Sequence, residues 1–188
     1  MRGKAARTRS QLMHTAATAF AAHGYSGANL SVISADAGVS RGALHFHFPR
    51  KEVLADAVEA AAAERFVELT RGAGKGAAES LSWAVQAFAE LYRQDVTFRA
   101  GILLSCDKDR KSTVNLIGVW EEYVSTAVVA AEREYLISRT GAPGHVSSAI
   151  VALTVGLAFL WRENEQWLAD STVSGVWNLL PPLVGRMS

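Results

Sequence analysis

The sequence predicts an all-α protein, with a small N-terminal module of three helices followed by a larger helical body. Apolar residues recur at spacings of three and four along most of the chain. Alternating β-branched runs, which would mark half-buried strands, are nearly absent. Only four prolines punctuate the 188 residues, and 49% of the chain is hydrophobic, enough for a sizeable core.

The elements follow in order. From Thr8 to His23, Leu12, Ala16, Ala19 and Phe20 recur at helical spacing, and Gly24 is placed to end the run. Ser31 is a good N-cap for a short second helix that offers Val32, Ile33, Ala35 and Ala37 to a core and stops at Gly38. Ser40 caps a third helix, Arg41 to His47, which Pro49 breaks because it lacks an N–H and pushes its predecessor out of the α region. A fourth helix runs from about Lys51 to Thr70 with Val53, Leu54, Ala57, Val58, Ala61 and Phe66 on its buried side. Gly72, Gly74 and Gly76 make an internal break, since glycine holds a helix poorly. Helical patterns then resume at about 77–94, 96–107, 113–139, 144–168 and 172–186, punctuated by Pro143-Gly144 and by Pro181-Pro182. The module boundary falls after residue 50, giving segments 1–50 and 51–188.

A net charge of +1 hides a strong asymmetry. Residues 1–51 carry Arg2, Lys4, Arg7, Arg9, Arg41, Arg50 and Lys51 against Asp36 alone, while acids outnumber bases in the remainder. Such a split suggests that the first quarter meets a polyanion. Polar residues Ser10, Gln11, His14, Thr15 and Thr18 interrupt the N-terminal alanine-rich stretch and argue against a signal peptide. The stretch Ala149 to Trp161 is shorter than the roughly 18 residues of a membrane span, so a buried helix and no membrane partner are expected. The lone Cys106 fits a reducing, cytoplasmic location and a small buried side chain.

Short helix, glycine turn, short helix is the arrangement that lets a second helix enter the DNA major groove while the first braces it. The third helix divides into core groups (Val39, Leu44, Phe48) and a thin polar side (Ser40, Arg41, Gly42, His45). Gly42 and Ala43 let the backbone approach DNA, and Arg41 near the helix start can reach base edges. Lys51, and the N–H groups at Ser31 and Ser40, suit phosphate contacts.

The run Ala37-Gly38-Val39-Ser40-Arg41-Gly42-Ala43-Leu44-His45-Phe46-His47-Phe48-Pro49-Arg50-Lys51-Glu52-Val53-Leu54, with Phe20 and Gly24-Tyr25 before it, resembles the signature of the TetR family of transcriptional repressors. That resemblance implies base contacts for Arg41 and Gly42, and phosphate or groove contacts for Ser31, Ser40, His45, His47 and Lys51. His45 stands where the family usually has tyrosine, so DNA binding there could be weaker or pH-dependent. Arg50 replaces the usual small polar cap.

The body is rich in aromatics: Trp83, Phe88, Tyr92, Phe98, Trp120, Tyr123, Phe159, Trp161, Trp167 and Trp177. Any one of these is ordinary core; together they suit an apolar effector pocket. Asp95 to Leu104, followed by Trp120, is similar to the γ-butyrolactone autoregulator receptors, TetR-type repressors of antibiotic production and differentiation in filamentous actinobacteria. By that resemblance Trp120 lines the pocket, and Trp83, Phe88, Phe98, Ile102 and Phe159 complete the candidate ligand set. The apolar residues of the last two helical patterns, Ile150 to Leu160 and Val176 to Leu180, exceed one chain's needs, and family resemblance assigns them to a homodimer interface.

Other chemistry is weaker. His45 and His47, two apart, point about 200° apart on a helix and cannot share a metal ion. Cys106, Asp107 and Asp109 have no histidine nearby in sequence; Glu121, Glu122, Glu132 and Glu134 suit solvated helix faces. No phosphate-binding glycine loop, cofactor or enzyme activity is expected. The function expected is therefore a ligand-responsive repressor that binds palindromic operator DNA as a dimer and is released by a small effector, with a γ-butyrolactone the first candidate. The alternatives are a regulator answering to an antibiotic or another ligand, and a helical ligand-binding protein with weakened DNA binding.

Overall fold

The computed structural model describes residues 2–71, 76–133 and 143–178. All regular elements among them are helical: α1 (Arg2–Gly27), α2 (Leu30–Asp36), α3 (Arg41–His47), α4 (Lys51–Thr70), α5 (Ala77–Gln94), α6 (Val96–Ser105), α7 (Leu116–Arg133), α8 (Pro143–Trp161) and α9 (Asp170–Asn178), with a 3-10 turn at Glu165–Leu168. Gly72, Gly74, Glu134, Leu179, Leu180 and Pro181-Pro182, and the expected ends of the helices near 139 and 186, lie outside the described residues.

The chain divides into two compact units, Met1–Arg65 with Asp95–Ile117, and Phe66–Gln94 with Gly118–Ser188. The division differs from a cut after residue 50 because Leu54, Ala55 and Val58 of α4 and Ala100 and Leu104 of α6 share one core with Leu12, Ala16, Phe20, Ile33, Leu44 and Phe48. α6 approaches α4 so closely that a Cβ on Gly101 would lie 2.5 Å from that of Ala62. The second unit is built around Leu81, Phe88, Tyr92, Trp120, Val124, Val128, Ile150 and Ala158, all buried.

Local chemistry explains where helices begin and end. Gly24 adopts φ 67° and ψ 179°, breaking α1 into a long run and a last turn, and Gly38 at φ 64° closes α2, a conformation glycine takes without strain. The cap of α2 is Asn29 rather than Ser31: its side chain accepts the Ser31 N–H at 2.8 Å, so the helix starts two residues earlier than expected. Of the α2 residues expected in the core, Ile33 and Ala37 are buried, whereas Ala35 is exposed and Val32 is 54% exposed. Asp95 caps α6 by accepting from Thr97 and Phe98 N–H, and it also pairs with Arg65. The pattern expected as one helix over 144–168 stops at Trp161, because Asn164 accepts the Gln166 N–H and starts the 3-10 turn. Cys106 is exposed, not buried, although partial burial still pushes its thiol pKa up.

One helix is longer and more apolar than the stretch from Ala149 to Trp161 suggested. Gly144–Trp161 has a mean hydropathy of 1.6 over 18 residues with 28% of the window buried, long and apolar enough by composition to cross a membrane. Its exposed apolar side includes Phe159 and Leu160, with Trp167 exposed just beyond.

Candidate nucleic-acid interface and effector site

The short helix α3 stands on the first unit's core through Leu44 and its cap Phe48, each about 1% exposed. Ser40 caps it, its hydroxyl oxygen accepting the Ala43 N–H at 3.1 Å. That leaves Ser40, Arg41, Gly42 and His45 exposed along one side, with His47 half-buried. Ser31 is half-buried in the first turn of α2, and its N–H, expected to be open to phosphate, is already bound by Asn29. Lys51 is half-buried: its Nζ donates to the Ser26 carbonyl at 3.3 Å and lies 4.7 Å from the centre of the Tyr25 ring. Burial holds the Lys51 pKa below its ordinary value, against the pull of Glu52 and Asp107.

Sequence reasoning missed Phe46. It is 82% exposed, edge-on to His47 at 5.3 Å between ring centres, on the side of α3 that carries His45 and Gly42. The signal was available, because position 46 lies about 200° around the helix from the buried Leu44.

Tyr25 braces this face from behind. Its hydroxyl donates to Glu52 at 2.9 Å and Arg110 lies 5.9 Å from its ring. Burial and the bond to Glu52 push its pKa up to about 12. Arg110 in turn pairs with Asp56 and with Glu59, at 2.7 Å to the latter. Glu59, fully buried, also accepts from Ser105, Ser112 and the Leu116 N–H. This network joins α4 to the segment between α6 and α7, and no short-range sequence pattern announced it.

Within the second unit, Trp120 is 1% exposed and donates from Nε1 to Thr154 Oγ1 at 2.8 Å. Phe66 meets it edge-on at 5.3 Å, Phe88 lies tilted by 33° at 5.2 Å, and Tyr123 stacks on it at 6.0 Å. Beside Thr154 opens a small apolar cleft bordered by Val85, Ile150, Leu153, Leu157, Val173 and Trp177. Of the candidate ligand residues, Trp120 and Phe88 are thus brought together, and Trp83 is half-buried on α5. Phe159 is 38% exposed on α8. Phe98 and Ile102 are buried in the other unit.

Residues 12–58, the part that forms this DNA-type module, match the model for bacterial regulatory proteins of the tetR family. Residues 12–58 are thus a tetR-type DNA-binding module. The fold of the chain matches CprB of Streptomyces coelicolor solved with its biological operator sequence (27% identity, 94% of this chain and 88% of that one, TM-score 0.80). It also matches a γ-butyrolactone receptor described as ArpA-like (27% identity, 96% and 97% covered, TM-score 0.75). A TetR transcriptional regulator from Chloroflexus aurantiacus shares the fold at 23% identity (98% of both chains, TM-score 0.80). No curated protein sequence matches the chain. In this module α2 and α3 are the paired helices, and the exposed side of α3 carries Ser40, Arg41, Gly42 and His45.

Proposed function

We propose that the protein represses transcription by binding a palindromic operator as a homodimer, and that a small apolar effector bound in the helical body releases it. The exposed side of α3 carries this reading: Arg41, Gly42 and His45 project from a helix whose other side is fixed in a core. Arg41 reads a base edge, Gly42 admits close approach, and Ser31, Ser40, His45, His47 and Lys51 hold phosphates or line the groove. One short helix reads few base pairs, so a two-fold pair spaced by one DNA turn is needed. The exposed apolar side of α8, with Phe159 and Leu160, supports pairing with a second copy and offers a use for that surface other than lipid. Such a regulator works in the cytoplasm, without cofactor or catalysis.

For the effector, the aromatic cluster around Trp120 supports a small ligand with an apolar body. The likeness to a γ-butyrolactone receptor makes that class the first to try. An effector lowers operator affinity only by preferring a conformation that DNA disfavours. The test is binding to the DNA upstream of the protein's own gene, with and without γ-butyrolactones, alongside Arg41→Ala. Specific binding that Arg41→Ala weakens and a lactone releases supports the whole scheme. Indifference to lactones removes that effector class, and loss of all specific binding would favour a ligand-binding protein with weakened DNA contacts.

A further inference from the structure

We infer that Tyr25 is a positioning residue for DNA binding: its ring holds the Lys51 ammonium in place at the start of α4, so that the cation is ordered before a phosphate arrives. This rests on the DNA-binding reading above, in which Lys51 meets DNA, and adds a residue that the reading leaves out. Gly24, at φ 67°, turns the chain out of the long run of α1, and Tyr25 follows in the last turn. The Tyr25 ring stacks at 6.2 Å on that of Phe20, a fully buried core residue. Its hydroxyl donates to Glu52 Oε1 at 2.9 Å, tying the far end of the ring to the first turn of α4. Held at both ends, the ring stays beside Lys51, whose Nζ lies 4.7 Å from its centre, inside the roughly 6 Å reach of a cation–π contact.

An ammonium carries three N–H donors. The Ser26 carbonyl takes one of those of Lys51 at 3.3 Å, and no carboxylate forms an ion pair with Lys51 among the described residues. Burial disfavours the charged form of Lys51, whereas the face of an aromatic ring favours it without cancelling the charge as an ion pair would. Arg110 also lies 5.9 Å from the Tyr25 ring, but its charge is already met by Asp56 and Glu59. The ring therefore keeps Lys51 charged, placed and still able to meet an anion. Immobilising a free lysine on a phosphate costs side-chain entropy, and ordering it beforehand raises affinity by about two- to twelvefold.

Two measurements test this. The first is the proton shift of the Lys51 ε-methylene in the DNA-free protein, assigned by its loss in Lys51→Gln. The ring current of Tyr25 should move it upfield of the other lysines, in wild type and in Tyr25→Phe alike. A Lys51 shift like those of the other lysines would overturn the inference with no DNA involved. The second is a double-mutant cycle of affinity for the protein's own upstream DNA at one fixed salt concentration. Tyr25→Leu removes the ring and should weaken binding by about two- to twelvefold, whereas Tyr25→Phe keeps the ring and should change it by less than about twofold. In the Lys51→Gln background Tyr25→Leu should change affinity by less than about twofold. An equal loss in both backgrounds would make Tyr25 merely structural and overturn the inference, leaving the DNA-binding reading intact. A wild type without specific DNA binding would overturn both.

Discussion

Replacing Glu59 with glutamine tests the centre of the first unit. The carboxylate is fully buried, and it accepts from Arg110, Ser105, Ser112 and the Leu116 N–H. Glutamine keeps the shape, removes the charge opposite Arg110 and turns two donors toward groups that are donors themselves. Arg110 retains Asp56, so its charge is not wholly unpartnered. Its Nε has no hydrogen-bond partner among the described residues, however, which makes further loss costly. Breaking a buried pair from one side costs about 3–5 kcal/mol, and the remaining Asp56 puts this case near 3 kcal/mol. The pH dependence separates charge from shape. Burial alone would raise the Glu59 pKa, but hydrogen bonds from Ser105, Ser112 and Arg110 outweigh it and hold the pKa below 4.5. A depressed carboxyl pKa contributes stability that is present above the unfolded value and lost as pH falls through the folded one. Urea unfolding at fixed protein concentration should therefore show a large Glu59→Gln deficit at pH 7 that shrinks below about pH 4.5. A deficit under about 0.5 kcal/mol at pH 7, the scale of an ordinary surface change, would refute the reasoning, as would one that stays constant with pH.

Four further outcomes follow from single contacts. Gly101→Ala puts a methyl 2.5 Å from the Ala62 Cβ and 3.0 Å from Leu116 Cδ2, and should cost about 1–3 kcal/mol in the same unfolding assay. Asn29→Ala removes the cap of α2 and should cost about 1 kcal/mol, whereas Ser31→Ala should cost less. Tyr25→Phe should abolish an ultraviolet phenolate transition near pH 12 and reduce the protein's loss of stability between pH 10 and 12, because a raised tyrosine pKa stabilises the fold only at lower pH. Trp120→Phe removes the donor to Thr154 and should lower stability by about 1–3 kcal/mol while reducing the intrinsic fluorescence; unchanged stability would show that bond to be idle.

What the sequence disclosed was local. Ser40 as cap, Gly38 as stop and Pro49 as break lie within twelve residues, and the structure has α3 at Arg41–His47. The α2 cap was misplaced because Asn29 and Ser31 are both competent, and only the backbone turn between them selects one. Trp161 ends α8 although the residues after it are good helix formers, since the Asn164 cap competes with continuation and wins. The buried charges were invisible for a different reason: Glu59 and Arg110 are 51 residues apart, and each looks like a solvated surface residue until α6 is laid against α4. The aromatic set was legible as a composition, but its sorting between two units was not, because periodicity gives a face and not a neighbour.

The same buried charges bear on how the basic quarter keeps its field. Immediately after Lys51 the chain carries Glu52, Asp56 and Glu59, enough acid to offset much of the positive charge before it. Were those carboxylates free on the surface of α4, the potential facing a polyanion would be weakened at close range. Instead Asp56 and Glu59 are engaged by Arg110, a cation brought in from a segment outside the first quarter, and Glu52 accepts the Tyr25 hydroxyl. Lys4, Arg7 and Arg41 remain without ion-pair partners among the described residues. The asymmetry visible in the sequence is thus sharpened by the fold. Asp56 and Glu59 of α4 are neutralised from behind, and the exposed cations of α1 and α3 are left to act on the outside, where a phosphate backbone can reach them.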